Sequence, residues 1–395
     1  MVPYHQMPEW ISELPDKVAC WLMSVRDKDR FGLFRDCVDS EIPYTFPADI
    51  VGLSRLMMVK SVKLEQVPGY SLEALKGTVS YVQNCQQPDT GLFIDPYLDE
   101  RFTEKQDSRR YQAFRKAVTK YTLEFLTLLK AEPLYAYSQT SERGEADPEE
   151  YLKFIKTGNW DEPWGIGSVA ASQTRELFYL INEGHEDYIP AVCRGIEFIL
   201  SKQNPQTGMW GKSSIPLYQQ ISGTLKVVGR FLFSLGIDMP YMDKLADSCI
   251  RHHTDGGFYA NKDDDLCFPR NVAEMCVACL ENSDYRSEEL LETLASIAEF
   301  IHQYLMPDGA FASERSGTRR IQWCGGQICG PSCTPRSNMN GTQAAIYALG
   351  LIGAHLGWTG LPFENPLAGW QEKVAGLKYK IVIGPKGKVK IVKKK

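Results

Sequence analysis

Nothing in this 395-residue chain approaches the roughly 18–20 consecutive apolar residues of a membrane span, and its opening, MVPYHQMPEW, lacks the pattern of a signal peptide. Histidine is scarce, at six residues. Cysteine occurs eleven times, an odd number without the close spacing of a small disulfide framework. These absences lead us to expect reduced thiols and a cytoplasmic location. Basic charge does not dominate either: 44 Lys and Arg stand against 49 Asp and Glu, a net of −5, which argues against a nucleic-acid partner. The positive charge that exists is gathered at the end. Residues 371–395 hold nine lysines against Glu372, a net of +8, so the rest of the chain carries −13. Two alternating runs around Pro385-Lys386-Gly387 predict a small β-hairpin there, set apart from a body spanning 1–370. Its lysines read as a solvated edge ribbon, or as a patch for peripheral membrane contact or an acidic partner.

What the chain does have is a phrase repeated six times: a helical apolar pattern, a turn, Gly-x-aromatic, and a second apolar run. The turns are Gly32-Leu33-Phe34, Gly91-Leu92-Phe93, Trp160 to Trp164-Gly165, Gly208-Met209-Trp210, Gly257-Phe258-Tyr259 and Gly309-Ala310-Phe311. Repeating units of this size bury their apolar faces against their neighbours. The expected fold is therefore all-α, an (α/α)6 toroid of six helix pairs with the C-terminal β-hairpin. First helices are expected in 14–34, 71–93, 147–165, 191–211, 240–259 and 290–311. The second helices, at 49–64, 119–131, 168–183, 219–235, 270–282 and 338–357, are apolar nearly all round and should form the inner layer. The glycine after each outer helix supplies a positive φ for its C-terminal cap, and the aromatic plugs the gap between pairs. Two longer linkers, 94–118 and 312–337, follow Gly-aromatic turns and precede inner helices, as loops covering a site do.

Residues 167–184 (GSVAASQTRELFYLINEG) and 193–211 (CRGIEFILSKQNPQTGMWG) resemble the repeat of squalene–hopene and oxidosqualene cyclases. Gln203 through Trp210 fits the Q-x-x-x-G-x-W part of that repeat with one residue extra. DGGFYANKDDDLC (255–267) is similar to the GGF repeat of protein prenyltransferase β subunits. The resemblance runs over most of 14–357 and is clearest at 165–260. It implies an α/α toroid handling isoprenoids. Neither chemical signature is intact. Pro269-Arg270-Asn271-Val272 stands where the cyclases carry their acidic D-x-D-D. Asp265-Leu266-Cys267 copies the first zinc pair of the prenyltransferases, but Asn338-Met339-Asn340-Gly341-Thr342 stands where their histidine would be.

Inner-helix N-termini direct partial positive charge toward a shared cavity, so the residues opening them bear on the chemistry. The repeat puts Asp49, Lys120, Ser172, Ser222, Asn271 and Asn340 there. Asp49, between Phe46-Pro47 and an apolar run, is the candidate general acid, or simply an N-cap. Tyr218, Asn271 and Asn340 complete the candidate catalytic set. Phe46, Trp164 and Trp323 stand among the aromatics that would face a cation or stack on a sugar, when they are not core. Lys212, Arg319 and Arg320 would hold an anionic group, or pair with nearby carboxylates. No cofactor is expected. Cys324, Cys329 and Cys333, with Cys267, His252 or His253, form a loose alternative metal set, and Asp263-Asp264-Asp265 an alternative Mg²⁺ site for a diphosphate or a plain turn. Cys276 and Cys279 belong to a helix core.

These residues give two functional expectations. The first is a terpenoid cyclase-like or prenyltransferase-like enzyme taking a small hydrophobic or anionic substrate, with Asp49 protonating or ionising it. The second is a carbohydrate-active toroid, a lyase or hydrolase on an acidic glycan using Asp49 or Asp95 with Tyr218 and Asn271, or a toroid that only binds. A cavity lined by Leu, Met and Phe favours the first, and a wet cleft with carboxylates the second.

Overall fold

The structure, a computed structural model, describes residues 6–26, 34–35, 37–38, 43–44, 72–94, 115, 119, 122–123, 126, 131–135, 147–255, 265–316, 321–323, 326–329 and 336–394. The chain is all-α, of the α/α-toroid class its repeat predicts, with a small antiparallel hairpin at its C-terminus. Its residues fall into two compact units. One holds Met1–Glu142, Asp265–Cys267 and Glu299–Glu364, the other Arg143–Asp264, Phe268–Ala298 and Asn365–Lys395.

In the first unit, α1 (Glu9–Ser12) and α2 (Leu14–Val25) bury Ile11, Leu14, Val18, Trp21, Leu22 and Val25. Helix α3 (Leu72–Asn84) follows, and two short ladders pair β1 (Phe34–Arg35) with β2 (Pro43–Tyr44) and β3 (Ile321–Trp323) with β4 (Gly326–Cys329). Helix α11 (Met339–Leu356) is buried over most of its surface. Its first turn is closed by Asn338, whose Oδ1 accepts from the N–H of Gly341 at 2.6 Å, an N-cap that satisfies one of the orphan donors. It ends at Gly357 with φ 67°, the left-handed conformation glycine adopts without strain.

The second unit is layered. Helices α5 (Pro163–Glu183) and α7 (Leu217–Val228, continued as a π-helix over Gly229–Ser234) pack along each other. Helices α4 (Pro148–Thr157) and α6 (Ile189–Ser201) form the other layer. The approach of α5 to α7 is set by glycine: a Cβ on Gly167 would stand 3.1 Å from the carbonyl oxygen of Gly223. Tyr151 of α4 reaches through the layers to Thr174 of α5 (2.7 Å), and Gly195 of α6 leaves it room, since a Cβ there would meet its hydroxyl at 2.2 Å. Burial keeps that phenol protonated, pushing it far above the ordinary tyrosine range. Helices α8 (Met242–Thr254), α9 (Cys267–Asn282), α10 (Ser287–His302) and α12 (Ala368–Ala375) are further helices among the described residues, the first residue of α9 and the last turn of α10 belonging to the first unit. Cys276 and Cys279 of α9 are buried, as core residues.

Gly-x-aromatic turns repeat one hydrogen-bonding device. Phe93, Trp210 and Phe311 are buried, and each donates its backbone N–H to a threonine of the following run: Thr119 at 2.9 Å, Thr224 at 3.1 Å and Thr342 at 3.1 Å. Gln86 and Gln203 span the turn from inside, donating to the carbonyls of Gly91 (3.0 Å) and Gly208 (2.9 Å). Gly91, Gly208 and Gly309 do have positive φ, but they lie in the turns, seven residues past the helix ends at Asn84, Ser201 and His302, and are not the C-terminal caps expected of them; Lys202 caps the helix before Gly208. Gly165 does not lie in such a turn at all. Pro163 starts α5 two residues earlier because its ring presets φ and its missing N–H costs nothing at N1, so Gly165 lies inside the first turn. Trp160 is the buried aromatic of that repeat, its Nε1 donating to the carbonyl of Ile155 at 2.8 Å.

The C-terminal residues 379–393 form the hairpin, β5 (Tyr379–Ile383) against β6 (Val389–Lys393), with Ile381 opposite Ile391. It is packed onto α6 rather than left as a solvated ribbon. The N–H of Val389 donates to Glu197 (2.9 Å), that of Tyr379 to Asn182 (3.0 Å), and the Tyr379 hydroxyl to Glu186. Lys380, Lys388 and Lys390 remain exposed.

Candidate functional site

The inner helices are not apolar all round, as their composition suggests. Each helix of this layer in the second unit carries one partly exposed stripe at helical spacing. On α5 it includes Ser172, Glu176 and Tyr179; on α7, Gln219, Lys226 and Arg230; on α9, Arg270 and Glu274. Contacts join the stripes. Arg230 donates from Nε to Ser172 Oγ at 2.7 Å and from Nη1 to the carbonyl of Lys226 at 3.3 Å, linking α7 to α5. The carboxylate of Glu274 reaches α7, its Oε1 lying 3.2 Å from where a Cβ on Gly229 would stand. Small residues on the buried faces, among them Gly167, Ala170, Ala171 and Gly223, let the helices approach while the charged groups stay wet. Their small size is what makes these helices read as inner ones in the sequence.

An aromatic group stands at the N-terminal ends of the same three helices. Trp164, Tyr218 and Phe268 are each the second residue of their helix. Trp164 meets Tyr218 edge-on at 6.1 Å between centroids, and Tyr218 meets Phe268 at 5.4 Å, tilted by 51°. Phe268 is buried and Tyr218 partly so, whereas Trp164 is 44% exposed. An indole left so open, with one edge already fixed by a second ring, is a surface onto which a flat apolar face can stack. Beside it, Lys212 forms an ion pair with Asp161, and the N–H of Lys212 donates to the carbonyl of Asp161 at 3.2 Å.

The structure thus brings Trp164, Tyr218 and Asn271 into one unit and separates their roles. Asn271 is buried and donates to the equally buried Ser222 at 3.5 Å, which makes it an interhelix tie rather than a cavity residue. Lys212 is exposed and pairs with the exposed Asp161. Asn340 belongs to the first unit, on the partly exposed stripe of α11 with Gln343 and Tyr347, and its Nδ2 donates to Ser313 at 3.4 Å. Asp265 accepts from the N–H of Cys267 at 2.8 Å and so caps α9. Phe46, Asp49, Asp95, Arg319, Arg320, Cys324 and Cys333 lie outside the described residues. Trp323 and Cys329 are described only as backbone of β3 and β4. Among the described residues no three His, Cys, Asp or Glu side chains gather as a metal site. Glu274 and Arg230 escaped the sequence reading. The signal was present as Arg270-x-x-x-Glu274 and Lys226-x-x-x-Arg230, charged pairs one turn apart inside otherwise apolar helices.

No family model matches the chain, and no curated protein matches it. A solved structure that it resembles is the GH76A α-1,6-mannanase from Salegentibacter sp. HEL1_6, at 13% identity and a TM-score of 0.42, covering 88% of this chain and 98% of that one. The expected kinship with terpenoid cyclases and prenyltransferases is corrected here, and with it the small hydrophobic, isoprenoid-type substrate. The likeness found is to a glycosidase, and the stripes of the inner helices carry Glu176, Lys226, Arg230, Arg270 and Glu274 instead of Leu, Met and Phe. A hydrocarbon chain laid on those groups would strip them of water with nothing in return, at several kcal/mol per charge by order of magnitude.

Proposed function

We propose that this protein is carbohydrate-active, binding a glycan with Trp164 and Tyr218 as the stacking platform and the stripes of α5, α7 and α9 as the hydrogen-bonding wall. The observation that carries the reading is the exposed indole of Trp164 braced edge-on by Tyr218 at the head of those charged stripes. Sugar rings combine an apolar face with a rim of hydroxyls. An open aromatic face takes the first, and side chains such as Gln219, Ser172 and Glu274 take the second. Affinity electrophoresis through gels containing a mannan, a xylan, a mixed-linkage glucan or polygalacturonate tests it. One of these should retard the protein, and Trp164→Ala should abolish the retardation while the chain still unfolds cooperatively, at a modestly lower midpoint because the 44% exposed indole also packs on Tyr218. Unretarded migration through all four gels would refute the platform.

A further inference from the structure

Trp164 does not stand alone at the head of α5. The two residues before Pro163, Asp161 and Glu162, are exposed carboxylates, and Lys212 comes in beside them from the loop that leads into α7. Contacts with the turn itself fix this placement. The N–H of Lys212 donates to the carbonyl of Asp161 at 3.2 Å, and its ammonium pairs with the Asp161 carboxylate. Gly211 lies against Pro163, since a Cβ there would stand 2.9 Å from the ring's Cδ. On α7, a Cβ at Gly223 would stand 2.5 Å from the Cβ of the same proline. Pro163 is thus seated between two glycines. Its neighbour Trp164 and the Asp161–Lys212 pair are held to one another through that short stretch of chain.

An ion pair whose side chains are 53% and 62% exposed adds little to folding. What it does supply is a carboxylate that accepts and an ammonium that donates, side by side and open to water next to an indole. A sugar ring stacked on that indole turns its hydroxyls outward, and neighbouring hydroxyls are bound by such a combination of acceptor and donor. Charge decides the kind of sugar. Asp161 and Glu162 against Lys212 leave this edge of the platform with two carboxylates to one ammonium. The N-terminus of α5 would by itself draw an anion, but carboxylates two and three residues ahead of Trp164 oppose that attraction. A uronate would meet the surplus negative charge, whereas an uncharged sugar would not. We propose that Asp161 and Lys212 are specificity residues of the Trp164 platform and that the glycan it takes is uncharged; this rests on the glycan reading above.

The test uses the full chain in gels carrying a concentration series of mannan, xylan, mixed-linkage glucan or polygalacturonate. At least one of the three uncharged polymers should retard wild type. Trp164→Ala should abolish that retardation and leave migration through polygalacturonate as it is in wild type. Asp161→Ala and Lys212→Ala should each raise the dissociation constant for the uncharged polymer by about 10-fold or more, the contribution of one hydrogen bond to a charged group. Their thermal midpoints should match wild type, because the pair is exposed. Three results would overturn the assignment and leave the stacking reading standing: polygalacturonate retardation that Trp164→Ala abolishes, variants that bind as wild type does, or binding that falls only together with the midpoint. A wild type that no gel retards removes the reading beneath it, and that failure is distinct from the other three.

Discussion

Thr224 holds the amide of Trp210 with its hydroxyl, and valine in its place would keep the shape while leaving a buried N–H unpaired. The expected cost is about 1–3 kcal/mol, read as a lower midpoint in urea, whereas Thr224→Ser should lose much less. Thr119 and Thr342 repeat the arrangement, so valine there should behave alike. The Gly-x-aromatic phrase is visible in the sequence, but its threonine partner is not. It follows the aromatic after 26, 14 and 31 residues in the three cases, and only folding brings each to the same place. Trp164 shows the opposite limit. Its aromaticity is plain in the sequence, yet the same residue type is buried at Trp160 and Trp210 and open at 164. Trp164 stands in the first turn of α5, whereas Trp160 and Trp210 lie in the turns between helices.

Individual elements have their own weak points. Gly208, in the turn after α6, has φ 69°, and a Cβ there would lie 2.5 Å from the backbone nitrogen of Leu245 and 2.6 Å from the carbonyl oxygen of Tyr241. Gly208→Ala therefore combines strain with a clash against backbone that cannot yield, and should cost at least about 2 kcal/mol in chemical denaturation. Helix α8 is acid-sensitive. Burial lowers His252 and His253 from their ordinary value of 6.5. Asp247 is pushed up by burial, but hydrogen bonds from Arg286 (2.8 Å) and Tyr285 (3.1 Å) and the charges of Arg286 and Lys244 carry it below its ordinary 3.8. Groups with lowered folded values stabilise fully above their unfolded values and lose that contribution as pH falls through the folded ones. Stability should therefore decline first below about pH 6.5 and again below about pH 4. His253→Gln should flatten the upper step and Arg286→Ala the lower, measured as thermal midpoint against pH. Because the Asp247 and Arg286 side chains remain about a third exposed, at 28% and 31%, that step should also shrink in salt. The helices themselves were legible from apolar spacing. Their wet stripes were not, because small residues at the contacts made whole helices look interior.

At the scale of the molecule, the C-terminal hairpin is part of the second unit's packing. Tyr379, Ile381 and Val389 are buried beneath it, each side chain of this kind contributing about 1.5–3 kcal/mol when fully covered. Ending the chain at Lys378 should lower the thermal midpoint and uncover the face of α6 around Glu197, which limited proteolysis would detect as new cleavage near 189–201. Unchanged melting after truncation would show that the hairpin merely rests there. The sequence distinguished the hairpin by its lysines. Its buried face depends on every second residue meeting α6, nearly two hundred positions earlier.

By itself the sequence determined the repeating helix pair, the glycine turns with positive φ and the C-terminal hairpin, because these follow from local periodicity, glycine stereochemistry and turn chemistry. Only the tertiary structure decided which residues of the inner layer meet water. It placed Ser172 beside Arg230, Glu274 beside Gly229, and Trp164 against Tyr218, pairs separated by some fifty residues in the chain. Exposure is a property of neighbours rather than of a residue's own type. The repeat phrase pointed toward isoprenoids, and the charged stripes that only folding assembles do not suit a hydrocarbon chain.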